Sequence, residues 1–217
     1  MSLDLYAHPF SSYSQKVLIP LYENGTTFEY HNLEDPDAQQ ALARISPVGL
    51  FPVLEDDGRV VFESTAIIES LQARHPGPFR PIPGDADAAV EARMLDRFFD
   101  HYVMTPMQKI VFDHICKPDD RDAFGVAKAR TLLGRAYAWL QRHLDGREWA
   151  CGSAFGLADC AAAPSLFYAD WVEPVPEALS NVRAYRARLL ARPSVARAVD
   201  EARPYRSYFP PGAPDRD

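Results

Sequence analysis

Three serines and one tyrosine stand together near the start of the chain, in the segment HPFSSYSQKV at positions 8–17. Ser12, followed three residues later by Gln15, fits a capping box and predicts that a helix begins there. Ser11 then lies just ahead of a helix N-terminus, where unpaired N–H groups and the helix dipole stabilise an anion. A thiol at such a place shifts toward thiolate, and one hydroxyl donor adds about 1.5–3 kcal/mol, or about one to two pKa units. The residue types therefore indicate a thiolate site at Ser11.

Two other interpretations of this segment stay open. Serine is a common helix cap, so Ser11 can be present for capping alone. Tyr6 and Tyr13 are rival hydroxyl donors, Tyr6 from the preceding strand and Tyr13 from the first turn of the helix. Positions 11–14 hold no cysteine, which excludes disulfide exchange by a Cys-x-x-Cys motif at this place.

A second stretch, SPVGLFPVLEDDGRVVFES at positions 46–64, combines a Gly-x-x-Pro turn with a tight hairpin signal at Asp57-Gly58. Pro52 cannot donate to a strand ladder, so it is expected at a strand start, with a cis peptide bond before it as a candidate. Such a bond turns the backbone N–H and C=O of Phe51 toward the surface. An extended ligand can pair with them there.

Glu63 and Ser64 follow the hairpin, and Ser64 is predicted to cap a helix that runs to about Arg74. Beside free helix N–H groups, an acid and a hydroxyl can hold the ammonium and carboxylate groups of an α-amino acid. The simpler alternative is a helix cap next to an exposed acid at a strand end.

The elements that position these residues follow from the order of the patterns. Short strands near residues 3–6 and 28–32 flank the first helix and predict a parallel pair, and a second helix starts after Asp35-Pro36. With the hairpin they make a mixed sheet about four strands wide, covered by helices. Beyond a Pro- and Gly-rich linker only helical patterns occur, including a long one interrupted near Pro106 and the apolar LADCAAAPSLFYADWV, predicted as a buried central helix.

The composition of the 217-residue chain limits its partners. A net charge of −7 argues against nucleic acid or an anionic membrane as the main partner. No apolar run reaches the roughly 18 residues of a membrane span, and the first residues do not resemble a signal peptide. Three unclustered cysteines and six scattered histidines predict no metal site, and the few cysteines favour a reducing cytoplasm.

Four motifs together resemble the cytosolic glutathione transferase family, in its serine-type classes, over nearly the whole chain: HPFSSYSQKV, SPVGLFPVL, ESTAI and AFGLADCA. The resemblance implies Ser11 as catalytic serine, Pro52 as cis-proline, Phe51 as the backbone partner of the cysteinyl unit, and Asp159 as a capping acid. It places Glu63 and Ser64 on the γ-glutamyl group. Glutathione is the implied co-substrate.

The same resemblance implies an α/β thioredoxin-like domain over residues 1–76, a linker at 77–84 and an all-helical domain over 85–217, in a homodimer. The sequence departs from the family at Ser46, where Asn is usual, at Gly156, where Ser or Thr is usual, and at Leu50, where many members hold the glycine carboxylate with Lys or Gln. Candidates to replace that contact are Gln39, Gln40 and Arg44.

An electrophile pocket is expected between the two domains, and the implied activity is conjugation of glutathione to a small hydrophobic electrophile, as in detoxification. Alternatives on the same fold are a glutathione-dependent isomerase, dehalogenase or peroxidase, and a binding module without enzymatic activity. Core packing is an equal alternative for each candidate lining residue. These residues are Phe10, Tyr102, Met107, Phe112 and Tyr168.

Overall fold

A four-stranded mixed sheet forms the first part of the computed structural model, which describes residues 2–217. Its strand order is β2-β1-β3-β4; β1 and β2 run parallel, and β3 is antiparallel to both β1 and β4. This is the sheet that the sequence predicts. The strands are β1 (Leu3–Ala7), β2 (Glu29–Asn32), β3 (Val53–Asp56) and β4 (Arg59–Phe62).

Three helices belong to this sheet: α1 (Ser12–Asn24), α2 (Pro36–Ile45) and α3 (Ser64–Arg74). α1 ends at Gly25, whose φ of 57° is the left-handed conformation that glycine adopts without penalty. α2 begins as predicted, because a carboxylate oxygen of Asp35 accepts the N–H of Asp37 at 2.9 Å.

The remaining chain is helical. A π-helical segment, Phe99–Met104, joins α4 to α5 and precedes Pro106, so the expected interruption is a wider turn rather than a break. Within residues 2–217, no helix is long and apolar enough to cross a membrane. The helices are α4 (Ala86–Phe98), α5 (Thr105–Asp113), α6 (Ala123–His143), α7 (Leu157–Val172), α8 (Ser180–Leu190) and α9 (Pro193–Ala202), with a 3₁₀ turn at Arg203–Tyr208.

α7 is the central helix of this second part, and it is buried over almost its whole length. The Asp159 side chain accepts the N–H groups of Ala150 and Gly156, both at 2.9 Å, and the hydroxyl of Tyr185 at 2.5 Å. The half capping box expected from Gly156 and Asp159 is therefore present. It fixes the chain entering α7 against α8.

Candidate functional site

The loop before α1 carries Ser11, and Ser11 itself is the N-cap: its Oγ accepts the N–H of Ser14 at 3.3 Å. The prediction of Ser12 as the cap was wrong by one residue. Gln15 does not reach back to Ser12 but donates to the carbonyl of Pro9 at 2.9 Å and to the Tyr168 hydroxyl at 3.1 Å. Because Ser11 Oγ acts as acceptor toward the helix, its hydroxyl hydrogen is oriented away from Ser14 and can be donated to a ligand.

The peptide bond between Phe51 and Pro52 is cis, as the sequence predicts. Phe51 is about one-third exposed, and Pro52 is buried at the start of β3. The Ser46 hydroxyl donates to the Leu50 carbonyl at 2.8 Å and closes the loop that leads to this bond. The arrangement presents the Phe51 backbone at a rigid surface edge.

Glu63 occupies the cap position of α3, and Ser64 is the first helical residue. The prediction of Ser64 as the cap was therefore also wrong by one residue. Glu63 has a φ of 70°, which is rare for a residue with a side chain, and its side chain makes no capping bond. Backbone of this kind is concentrated at ligand clamps, because the surrounding structure must hold it in place.

A cavity of about 250 Å³ joins these elements to the start of the helical part. The sequence-predicted residues Phe51, Pro52, Glu63 and Ser64 line it together. Its other lining residues come from α1, the 46–50 loop, β4, α4 and the π-helical segment: Tyr13, Ser46, Val48, Leu50, Phe62, Arg97, Asp100 and His101.

A buried charge cluster supports one wall of this cavity. The side chain of Lys16 has no exposed surface, and its Nζ lies 2.7 Å from both Asp96 Oδ1 and Asp100 Oδ2. The guanidinium of Arg97 contacts the same two carboxylates and the Thr65 hydroxyl. Asp100 Oδ1 is buried without a hydrogen-bond partner in residues 2–217. Burial raises the pKa of Asp100 against the opposing effect of Lys16.

A second cavity, of about 530 Å³, lies beside Ser11 and shares Tyr13, Leu50 and Phe51 with the first. Four of the five predicted pocket residues line it: Phe10, Met107, Phe112 and Tyr168. No Asp, Glu, Lys, Arg or His of the described chain is part of its lining, which Ser12, Gln108, Val111, Ile115, Tyr208, Phe209 and Pro210 complete.

Family models for the glutathione S-transferase N-terminal and C-terminal domains match residues 5–79 and 103–193. A glutathione S-transferase-like protein, LUC7, from a Fusarium species is 32% identical over 159 residues, or 71% of each chain. The chain belongs to the glutathione S-transferase family. A stringent starvation protein A homolog from Coxiella burnetii is 26% identical over 205 residues, 92% of each chain.

Among solved structures, a glutathione S-transferase from Methylobacterium radiotolerans in complex with glutathione sulfonate is similar, with a TM-score of 0.77 and 28% identity. The match covers 92% of this chain and 95% of that one. The fold is thus the glutathione transferase fold, with a thioredoxin-like first part and a helical second part. Membership of this family supports the conclusion that the protein is a glutathione transferase and that glutathione is its co-substrate.

Three predicted site residues of the transferase lie away from both cavities. Tyr102 is half exposed and packs on Phe98, whereas Val103 and Met104, which follow it in the π-helical segment, are buried. Gln39 donates to the Leu33 carbonyl at 2.6 Å, and Gln40 accepts from Arg44 at 3.2 Å. The structure therefore does not bring α2 to the cavities, and it adds Arg97, Asp100 and His101 instead.

The two rival hydroxyls differ in position. Tyr6 is buried, stacks on His31 with ring centroids 4.5 Å apart, and lines neither cavity. Tyr13 lines both cavities; burial and then the charge of Asp100 raise its pKa to about 12. At neutral pH the Tyr13 hydroxyl is therefore protonated and can donate a hydrogen bond, so Tyr13 remains a competitor of Ser11.

The Tyr168 hydroxyl is hydrogen-bonded to the loop before α1 and to α1 itself. It donates to the Phe10 carbonyl at 2.9 Å and accepts from Gln15. Tyr168 therefore offers the second cavity an aromatic face while its hydroxyl holds α7 to the loop before Ser11. Among residues 2–217, no group of three or more His, Cys, Asp or Glu side chains is placed to hold a metal ion.

Proposed function

We propose that this transferase binds glutathione across the two adjacent cavities and holds its sulfur as thiolate at Ser11. The observation that supports the proposal is that the two cavities are adjacent and share Tyr13, Leu50 and Phe51 as lining residues. One peptide can therefore pair with the Phe51 backbone and still place its sulfur beside Ser11 at the start of α1. There the sulfur meets a hydroxyl donor and the positive end of the helix dipole, which both favour the anion.

The γ-glutamyl group belongs in the first cavity. Its ammonium is matched by the carboxylates of Glu63 and Asp100, and its carboxylate by Arg97 and the N-terminus of α3 with Ser64. A ligand with only an ammonium or only a carboxylate would leave either the acidic residues or Arg97 and the helix N-terminus without a partner. We place the glycyl carboxylate in solvent near Leu50, because Leu50 is two-thirds exposed and carries no charge.

The electrophile belongs in the second cavity. The thiolate attacks an electrophilic carbon, an S–C bond forms, and the leaving group departs with its bonding electrons. The protein supplies a lowered thiol pKa and the orientation of the two reactants. An uncharged, largely aromatic lining favours a neutral hydrophobic electrophile, since an anionic substrate such as a maleyl acid would be buried without a cation.

The finer assignments belong to the same proposal. Two domains, residues 1–76 and 85–217, are joined by the linker 77–84, and Ser11 makes this a serine-type transferase. We place it as a homodimer in the cytoplasm. Support for the domain division comes from the end of α3 at Arg74 and the start of α4 at Ala86.

Calorimetric titration with glutathione, followed by measurement of the ultraviolet thiolate band against pH, tests the proposal. We expect binding, with the bound thiol titrating about one to two pH units below free glutathione. S-Methylglutathione, which has no thiol, is the spectroscopic control. Absent binding, or an unshifted titration, would refute the thiolate site.

A panel of electrophiles tests the reaction class. We expect turnover of 1-chloro-2,4-dinitrobenzene, which is a neutral aromatic compound. For a maleyl acid we expect at least tenfold lower kcat/KM, which corresponds to a cost of about 1.4 kcal/mol for burying its charge without a partner. Preference for the maleyl acid would instead support the isomerase.

A further inference from the structure

His8 stands at the start of the turn that leads to Ser11. Its carbonyl accepts the N–H of Ser11 at 3.0 Å, and its ring Nδ1 accepts the N–H of Phe10 at 3.1 Å. The other ring nitrogen, Nε2, lies 2.9 Å from Oε1 of Glu34. The His8 side chain is only 13% exposed, so these contacts are well shielded from solvent on the histidine side.

These two contacts fix the form of the ring. A backbone N–H can only donate, so Nδ1 must present its lone pair to Phe10. Nε2 then carries the hydrogen and donates it to the Glu34 carboxylate. His8 is therefore a neutral ring that accepts from the loop on one side and donates to Glu34 on the other.

Glu34 extends this series of hydrogen bonds to the C-terminal part of the protein. Its second oxygen, Oε2, accepts the hydroxyl of Tyr208 at 3.0 Å. The Tyr208 ring also lies over His8, with centroids 6.1 Å apart, and the neighbouring Tyr205 hydroxyl accepts from Asn32 at 3.1 Å. Tyr208, Phe209 and Pro210 form one side of the cavity beside Ser11.

We infer that His8 is a positioning residue that acts in two directions: through Phe10 it holds the Ser11 loop, and through Glu34 it holds Tyr208 against the electrophile cavity. The inference rests on the proposed function for its consequence, which is that Tyr208 limits the size of the electrophile. The two roles use different ring nitrogens and can be separated.

Two substitutions separate them. His8→Asn keeps an acceptor oxygen at the place of Nδ1 but has no group at Nε2, whereas His8→Gln keeps a donor at the place of Nε2 and loses the acceptor. Hydrogen exchange of the Phe10 amide, followed by NMR without ligand, reports the loop directly. We expect about tenfold faster exchange in His8→Gln, for the loss of one hydrogen bond, and less than twofold change in His8→Asn.

Kinetics with a small and a bulky chloronitroarene test whether His8 holds Tyr208 through Glu34. We expect His8→Asn and Tyr208→Phe to raise the bulky-to-small ratio of kcat/KM severalfold, with Tyr205→Phe as control. His8→Gln should keep this ratio but raise the pKa of bound glutathione. Equal exchange rates in the two His8 variants overturn the loop role, and an unchanged size ratio overturns the Tyr208 role. The exchange measurement needs no glutathione, so it tests the role of His8 in the loop even if the proposed function is wrong.

Discussion

The Nζ atom of Lys16 lies 2.7 Å from Oδ2 of Asp100, and the two side chains are 0% and 6% exposed. The contact joins α1, which carries Ser11 at its start, to the π-helical segment that lines the first cavity. The same Lys16 also neutralises Asp96. In the proposed binding mode, a charge on the helix beside the sulfur therefore also fixes the wall beside the γ-glutamyl group.

Removal of Lys16 is expected to destabilise the fold strongly. Lys16→Met leaves Asp96 and Asp100 buried with the half-exposed Arg97 as their remaining cationic partner, and breaking a buried pair costs about 3–5 kcal/mol. Urea unfolding measures the change in free energy. Arg93→Ala removes an exposed pair with Glu69 and should cost less than about 1 kcal/mol. A cost for Lys16→Met as small as this control would contradict the role given to the cluster.

Asp100→Asn tests the proposed ammonium contact. Asn has the same shape but no charge, so we expect the Kd for glutathione to rise about tenfold or more, since hydrogen bonds to charged groups contribute about 1.5–3 kcal/mol. The kcat at saturating glutathione should change little, because the sulfur is held elsewhere. Calorimetry gives the Kd, with Asp87→Asn on exposed α4 surface as control. Unaltered affinity would remove Asp100 from the site.

The predictable parts of the site are those encoded within one local stretch. Asp57-Gly58 specifies the hairpin, and Pro52 at a strand start indicates the cis bond, because both depend on the conformational limits of single residues. The caps of α1 and α3 were each misplaced by one residue. Adjacent Ser11 and Ser12 are chemically equal as caps, and nothing in the pattern requires a left-handed Glu63.

The other differences arise from distance along the chain and from helix type. Asp100 and Arg97 belong to a cluster that Lys16 of α1 forms with the end of α4 and the π-helical segment, and the only local signal for that contact is a lysine in a largely apolar part of α1. Tyr102, which is expected to line the electrophile pocket, lies outside it. The π-helical turn, with its longer i→i+5 repeat, changes which side chains face inward.

Asp56 is expected to make the free energy of unfolding depend on pH in the acidic range. Burial alone would raise its pKa, but the hydrogen bond from Arg74 and the close contact with His75 outweigh burial and lower the pKa from its ordinary value. The unfolded chain therefore binds this proton more readily than the folded chain. The free energy of unfolding should decrease as the pH falls through the ordinary pKa of Asp toward the lower pKa of the folded state. Urea unfolding against pH should show a shallower acid loss in Asp56→Asn than in the wild type. Parallel curves would contradict the assignment.

Glu63→Gly should separate binding from stability. Glycine adopts a φ of 70° without penalty, so relief of about 1–3 kcal/mol of backbone strain outweighs the 0.5–1 kcal/mol entropy cost of glycine, and the melting temperature should rise slightly. Glutathione affinity should fall, because the carboxylate is lost. Glu63→Ala loses the same carboxylate but keeps the strain. A lower melting temperature for Gly than for Ala would contradict the argument.

Ser11→Ala and Ser11→Gly distinguish the two functions of the Ser11 hydroxyl. Both remove the donor to the sulfur, so both should raise the pKa of bound glutathione by about one to two units. Only Ala should weaken α1 by about 1 kcal/mol, since glycine at an N-cap costs a few tenths. The thiolate band and thermal unfolding provide the two measurements, and Tyr13→Phe provides the matched loss of a rival hydroxyl. If Tyr13→Phe raises the pKa while both Ser11 variants leave it unchanged, the donor is Tyr13.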